Sequence, residues 1–383
     1  MKIRIQQIKQ WGGECLIRLS KLCPIKRNKI FIMSYYGKGY DCNPKYLTEY
    51  VKAHQDTYNW DIVWAFNDVG AQEALTGVRK VRVMTPRYFY EMYTSRVILT
   101  NYRMTKQFHK RPSQYYIQTW HSSLRLKQIE KDAIETLGKD YIEMAMADSQ
   151  QCDLLISGCA YSTHIFQHAF WYDGPILECG TPRNDYLKNP NRVHQEKIKE
   201  ALGIDAMQKI VLYAPTFRKG HDLSVYDLEY DRLRVTLEKK WPGKWSILIR
   251  LHPHLNSDDL HIVWSENLRD ASKWEDIQEL LAVTDVLISD YSSLMFDFSF
   301  TKRPCFLYVP DLETYITNDR GLYFDVKALP FGIAEDKEAL NTCILTFDAV
   351  AYEEALEYFD EKIGSFEQGD ACKQLAEYIT KIM

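Results

Sequence analysis

The chain has 383 residues, more than one ordinary hydrophobic core sustains, so two domains are expected. Hydrophobic residues make up 46% and charged residues 26%, which excludes a disordered chain, and a net charge of -4 argues against a nucleic-acid binder, whose surface is basic over a whole face. Nine cysteines without a CxxC pair read as reduced, buried thiols.

Residues 1–28 come first and are basic, with Lys2, Arg4, Lys9, Arg18, Lys21, Lys26 and Arg27 against Glu14 alone. No uninterrupted apolar run of a signal peptide or a membrane span is present. Ile3, Ile5, Ile8, Trp11, Cys15, Leu16 and Leu19 recur at near-helical spacing. Two readings stand: a helix resting on an anionic lipid surface, and a basic amphipathic helix packed on its own domain.

From residue 29, strand and helix alternate. "KIFIMSYYG", "WDIVWAFND", "KVRVMT", "RVILTN", "YYIQTWH", "DLLIS" and "ILEC" read as strands, and "NPKYLTEYVKAH" as a helix with Pro44 in its first turn. Near-continuous apolar strands separated by helices predict a parallel sheet covered on both faces over 29–188. The charged helix "NPNRVHQEKIKEALGID" suggests a connection at 189–205. A second such domain follows over 206–350 ("KIVLYAPTF", "WSILIRLHPHL", "DVLISDYSS", "PCFLYVPD"), and helices over 351–383 close the chain. In sheets of this kind ligands bind beyond the carboxyl ends of the strands, where the polar clusters of this sequence lie.

In "VLISDYSSLMFDFSF" a strand meets a helix at Asp290, Ser292 and Ser293. One cap needs one such residue, so the surplus suggests a helix start that also receives a phosphate. "LIRLHPHL" puts Arg250, His252 and His254 on one face of a strand end, a pattern fit for a phosphate and for protonating a leaving group. "LYAPTFRKG" adds Thr216 and Arg218 in a loop, read as an anion pocket or, on the plainer view, a capping threonine and a surface arginine. In the first half, "IQTWHSSLRLKQIEKD" ends a strand at His121, a general-base candidate or a satisfied structural histidine. Ser122-Ser123 is expected to cap a helix carrying Leu124, Leu126 and Ile129. There is no GxxxxGK[ST] loop and no GxSxG elbow, and "GKGYDCN" lacks the third glycine of a dinucleotide fingerprint. His164 and His168 stand four apart without the glutamate of HExxH and read as a buried helix face. No metal and no cofactor is expected.

In order, "SYYGKGYDCNPKYLTEYV", "YYIQTWHSSLRLKQIEKD", "GTPRND", "VLYAPTFR", "RLHPHL", "DVLISDYSSLMFDF" and "PCFLYVPDLETYITNDRGLYFD" resemble the CDP-glycerol glycerophosphotransferase family, over about residues 30 to 330. The resemblance implies a GT-B-like fold, two doubly wound Rossmann-type domains facing across a cleft, at the cytoplasmic face of the membrane of a Gram-positive bacterium. It implies transfer of glycerol phosphate or ribitol phosphate from a CDP-alditol donor to a hydroxyl of a lipid-linked glycan or polyol-phosphate acceptor, with release of CMP. By family pattern His121 is the base near the acceptor, His252 contacts the donor pyrophosphate, and Ser292 and Ser293 are the paired serines. Thr216, Arg218, Arg250 and Asp290 fall to the donor phosphates, and Gly37, Lys38, Ser122, Arg183 and Asp185 to the acceptor side of the cleft. One departure is Trp120-His121-Ser122-Ser123-Leu124, where the family usually reads W-H-G-T-P. Two rivals remain: a GT-B glycosyltransferase using a CMP- or UDP-sugar, and a non-catalytic membrane-associated subunit of a polymer-synthesis complex.

Overall fold

Apolar strands need cover on both faces, and the chain supplies that arrangement twice. The computed structural model describes residues 14–218, 224–252, 255, 262–318 and 321–383. The first sheet holds β1 (Lys26–Met33), β2 (Asp61–Phe66), β3 (Arg79–Arg82), β4 (Ser95–Thr100), β5 (Tyr115–Gln118), β6 (Leu154–Ser157) and β7 (Ile176–Glu178), in the order β3-β2-β1-β4-β5-β6-β7. The second holds β8 (Lys209–Tyr213), β9 (Trp245–Ile249), β10 (Leu268–Asp270), β11 (Val286–Ser289), β12 (Cys305–Tyr308) and β13 (Gly332–Ala334), in the order β10-β9-β8-β11-β12-β13. All pairs within both sheets are parallel. The two sheets share the doubly wound plan, with strand order reversing between β1 and β4 and again between β8 and β11.

Alternation assigns the strand residues to opposite covers. Ile30, Ile32, Trp64 and Leu99 face one side of the first sheet, and Phe31, Val63, Ala65 and Ile98 the other. The helix Ala371–Ile382 contributes Leu375, Ala376 and Ile379 to the first of these clusters, although it follows the whole second domain in sequence. Before it, Ala349–Ile363 buries Tyr352, Leu356, Phe359 and Ile363 against the second domain. Within the expected connection at 189–205, the helix Arg192–Ala201 buries Ile198 in a cluster made mostly of second-domain residues.

Residues 14–22 are helical. Leu16 and Ile17 lie against the Tyr88–Met92 face of the first domain and the Lys21 ammonium sits 5.0 Å over the Tyr93 ring, while Leu19 (62%) and Leu22 (82%) remain exposed. The expectation for residues 1–13 lies outside the described residues.

The helix expected over Leu124–Ile129 does not form. Leu124 and Leu126 are two apart, a strand spacing, and both bury in the core of the second domain. The backbone there pairs with the 321–323 segment, the Gln128 N–H donating to Gly321 O at 2.8 Å and the Tyr323 N–H to Leu126 O at 2.8 Å. A second seam lies across the cleft mouth. Lys45 Nζ meets Asp276 at 2.7 Å and Glu279 at 2.6 Å, Tyr46 O–H donates to Asp276, and the Tyr40 N–H donates to Glu275 Oε1 at 2.7 Å. Gly39 permits this approach, since a Cβ there would lie 2.5 Å from the Glu275 carboxylate.

Candidate active site

The loops leaving β1, β4 and β5 face those leaving β8, β9 and β11. On the first-domain side, His121 follows β5 on a loop held from both ends. Its Nδ1 lies 3.3 Å from Asn101 O, just beyond β4, and a carbonyl only accepts, so Nδ1 carries the proton and Nε2 keeps its lone pair. The Trp120 indole stacks on the imidazole at 4.7 Å and 25°. Asn43 Nδ2 donates to Thr119 O at 3.3 Å and Trp120 O at 3.2 Å, and Asn43 Oδ1 accepts from the Arg183 N–H at 3.1 Å. Beneath the indole lies Arg103, paired at 3.0 Å with both Glu130 and Asp148. Burial first, then the Arg183 and Arg125 charges, push the His121 pKa down to about 4 against one opposing hydrogen bond from Asn101, so the ring is neutral at neutral pH.

The backbone around this histidine is costly. Tyr35 (φ 39), Tyr36 (φ 60), Cys42 (φ 59) and Trp120 (φ 52) are four of the eight non-glycine residues in the left-handed region among the described residues. Such conformations persist only where the surroundings enforce them, and here they bracket the cleft. Gly37 (φ +81) is a true glycine position, because a Cβ would meet Val83 at 2.7 Å and the Asn67 backbone at 3.1 Å. Lys38 is exposed beside it and Ser122 is buried, its carbonyl accepting from Arg125. Arg183 is buried at the base of the cleft, ion-paired with Asp297 of the second domain. Asp185 is corrected: its carboxylate accepts from the Ala371 N–H at 3.0 Å and the Cys372 N–H at 2.7 Å, which anchors the last helix rather than lining the cleft.

On the second-domain side, Asp290 accepts from the Thr216 N–H at 3.0 and 2.9 Å and pairs with Arg218 Nη1 at 2.8 Å. Arg218 gives its Nε to Asp311 at 2.6 Å and Nη1 also to Thr216 O and Oγ1, with the Tyr291 and Tyr315 rings about its plane. Arg218, expected to meet phosphate, has its donors directed to two carboxylates and to Thr216 of its own loop. Arg250 is the freer cation. Among the described residues its guanidinium makes one hydrogen bond, Nη1 to Trp274 O at 2.6 Å; it feels Asp276 of its own domain and Asp41 and Tyr35 of the first, while burial lowers its pKa. His252 is exposed beyond β9, its ring 5.8 Å from that of Phe217. His254 lies outside the described residues. Ser292 and Ser293 sit half-buried at the start of Leu294–Ser299: Ser292 Oγ accepts from the Leu294 N–H at 3.3 Å, while Ser293, at the cap position, makes no side-chain cap bond. His164 and His168 are exposed rather than buried, the latter 2.9 Å from Asp132.

Several site residues were missed from sequence. Asn43 and Asn101 brace His121, and Asp41, which accepts from Ser34 Oγ, has its pKa pushed up to about 6, chiefly by burial. A polar residue closing an apolar strand, as in "RVILTN", was the available signal for Asn101.

The sequence profile described as CDP-glycerol:poly(glycerophosphate) glycerophosphotransferase matches residues 15–381. The chain belongs to that glycerophosphotransferase family. It is 32% identical over 380 residues to the teichoic acid poly(glycerol phosphate) polymerase of Bacillus spizizenii, covering 94% of each. It is 34% identical over 382 residues to the teichoic acid glycerol-phosphate transferase of Staphylococcus aureus, covering 95% of each. A solved structure of a histidine-to-asparagine variant of the wall teichoic acid polymerase TagF, soaked with CDPG, matches at 30% identity and a TM-score of 0.83, covering 99% of this chain and 96% of that one.

Proposed function

We propose that this glycerophosphotransferase moves glycerol phosphate from CDP-glycerol to a hydroxyl of a polyol-phosphate or lipid-linked glycan acceptor, releasing CMP. The acceptor oxygen forms a bond to the glycerol-bearing phosphorus as the bond from that phosphorus to the bridging oxygen breaks. The acceptor proton passes to His121 Nε2, and the electron pair leaves on CMP. The observation that carries this reading is the neutral His121 imidazole, its tautomer set by Asn101 O, on the opposite side of one cleft from Arg250 and His252. Arriving phosphate charge raises the His121 proton affinity toward the range a general base needs. Phosphoryl transfer asks for positioning and neutralised charge, which Arg250, His252, Thr216, Ser292 and Ser293 provide, with Asp290 and Arg218 holding the loop. Purified protein incubated with CDP-glycerol, CDP-ribitol and CMP- or UDP-sugars tests it: CMP release only with a CDP-alditol is expected, and release only with a nucleotide sugar overturns the reading.

The same reading puts the protein at an anionic membrane surface. Exposed Leu19 and Leu22 stand beside exposed Arg18, Lys26 and Arg27, a composition suited to interfacial binding. Among the described residues no helix is long and apolar enough to cross a membrane. Co-sedimentation with phosphatidylglycerol vesicles that Leu22→Glu fails to reduce overturns this docking.

A further inference from the structure

Among the described residues four arginines are buried, Arg103, Arg125, Arg183 and Arg218. Three are neutralised by carboxylates: Arg103 by Glu130 and Asp148, Arg183 by Asp297, and Arg218 by Asp290 and Asp311. Arg125, 3% exposed, has no carboxylate partner among the described residues. Its one hydrogen bond runs from Nη2 to Ser122 O at 3.2 Å, and its Nε and Nη1 have none. The Phe166 ring, 4.5 Å from the guanidinium, offsets part of the desolvation, but a ring face does not replace an anion. Burial lowers its pKa to about 10, which leaves it charged at neutral pH. A buried cation without a counter-charge is costly, and each such group needs an explanation.

Its location supplies one. Arg125 lies four residues beyond His121 on the same loop, and its charge is felt at the imidazole. We propose that Arg125 recognises an anionic group of the acceptor, a phosphodiester adjacent to the attacking hydroxyl, and so makes the enzyme prefer acceptors that already end in polyol phosphate. This rests on the transfer reaction proposed above. A planar fork with two unused donor positions suits two phosphate oxygens, and the phosphate supplies the missing negative charge.

The test uses the full chain with CDP-glycerol and two acceptors: a short oligo(glycerol phosphate), and the same polyol with ether links in place of phosphodiesters. Arg125→Met removes the buried charge at similar length to keep the packing, and Arg125→Lys keeps the charge without the fork. Arg125→Met is expected to raise KM for the phosphodiester acceptor at least tenfold, leaving KM for CDP-glycerol and for the ether acceptor within twofold, with Arg125→Lys intermediate. Unchanged KM for the phosphodiester acceptor, or an equal rise for both acceptors or for the donor, overturns the proposal and leaves a merely structural arginine. If Arg125→Met does not fold, Arg125→Lys carries the same comparison alone. If the unaltered protein releases no CMP from CDP-glycerol with either acceptor, the transfer reaction itself fails. If it works equally well on both, only the role of Arg125 fails.

Discussion

The two domains share one strand plan and use it for opposite electrostatics. At the end of the first sheet His121 is neutral, braced by a backbone carbonyl and an indole, with its nearest charges repelling a proton. At the end of the second sheet Arg218 and two aspartates form a charged lattice that fixes a loop, while Arg250 makes one guanidinium hydrogen bond among the described residues, to Trp274 O. On the transfer reaction proposed above, the same topology serves proton handling on one side and charge handling on the other. What differs is whether the ionisable group at the strand end, His121 or Arg218, is given a counter-charge.

The largest test of that division is catalytic. His121→Ala is expected to lower CMP release about 10²- to 10⁴-fold, as for loss of a positioned base. His252→Ala is expected to do likewise from the charge-handling side, and near-normal release by either variant removes that residue from its role. Next comes stability of the charged lattice. Asp290→Ala strips a buried guanidinium of a partner and is expected to cost about 3–5 kcal/mol in urea unfolding, with no comparable loss for His121→Ala. The neutral side predicts a pH dependence of its own. The folded His121 titrates near 4 and the unfolded group near 6.5. Between these values the unfolded chain binds more protons, so this contribution is complete above about pH 6.5 and falls by up to about 3 kcal/mol as pH drops toward 4. His121→Asn is expected to flatten that part of the stability curve, and an unaltered slope contradicts a buried neutral ring. Gly37→Ala, forced into φ +81 against Val83, is expected to cost about 1–3 kcal/mol and to raise KM by displacing the Tyr35–Tyr36 turn. Smallest is Lys45→Met at the seam between the domains, where a change in KM for CDP-glycerol below about tenfold is expected.

Much of this was readable before any coordinates. The apolar runs "KIFIM", "RVILT", "KIVLY", "WSILI" and "VLIS" each appear as buried parallel strands, and the polar residues that end them converge on the cleft. The edge strands Leu268–Asp270 and Gly332–Ala334 went unread, since three residues of mixed polarity carry no period. Leu124 and Leu126 were read at helical spacing although they alternate, and their partners lie near residue 322, out of reach of a local pattern. Arg218 illustrates the same limit in the site. An arginine in a loop after a strand looks available for phosphate until Asp311, 93 positions away, is seen to hold it.

The helix Ala371–Ile382 carries a consequence for synthesis. Leu375, Ala376 and Ile379 finish the cover over Leu47, Val51 and Ile117, so the first domain, made earlier, waits for a helix made after the whole second domain to close its core. Until then an oily strip stays open on the nascent chain, a place where a holding chaperone would bind and where loss of this helix would favour aggregation.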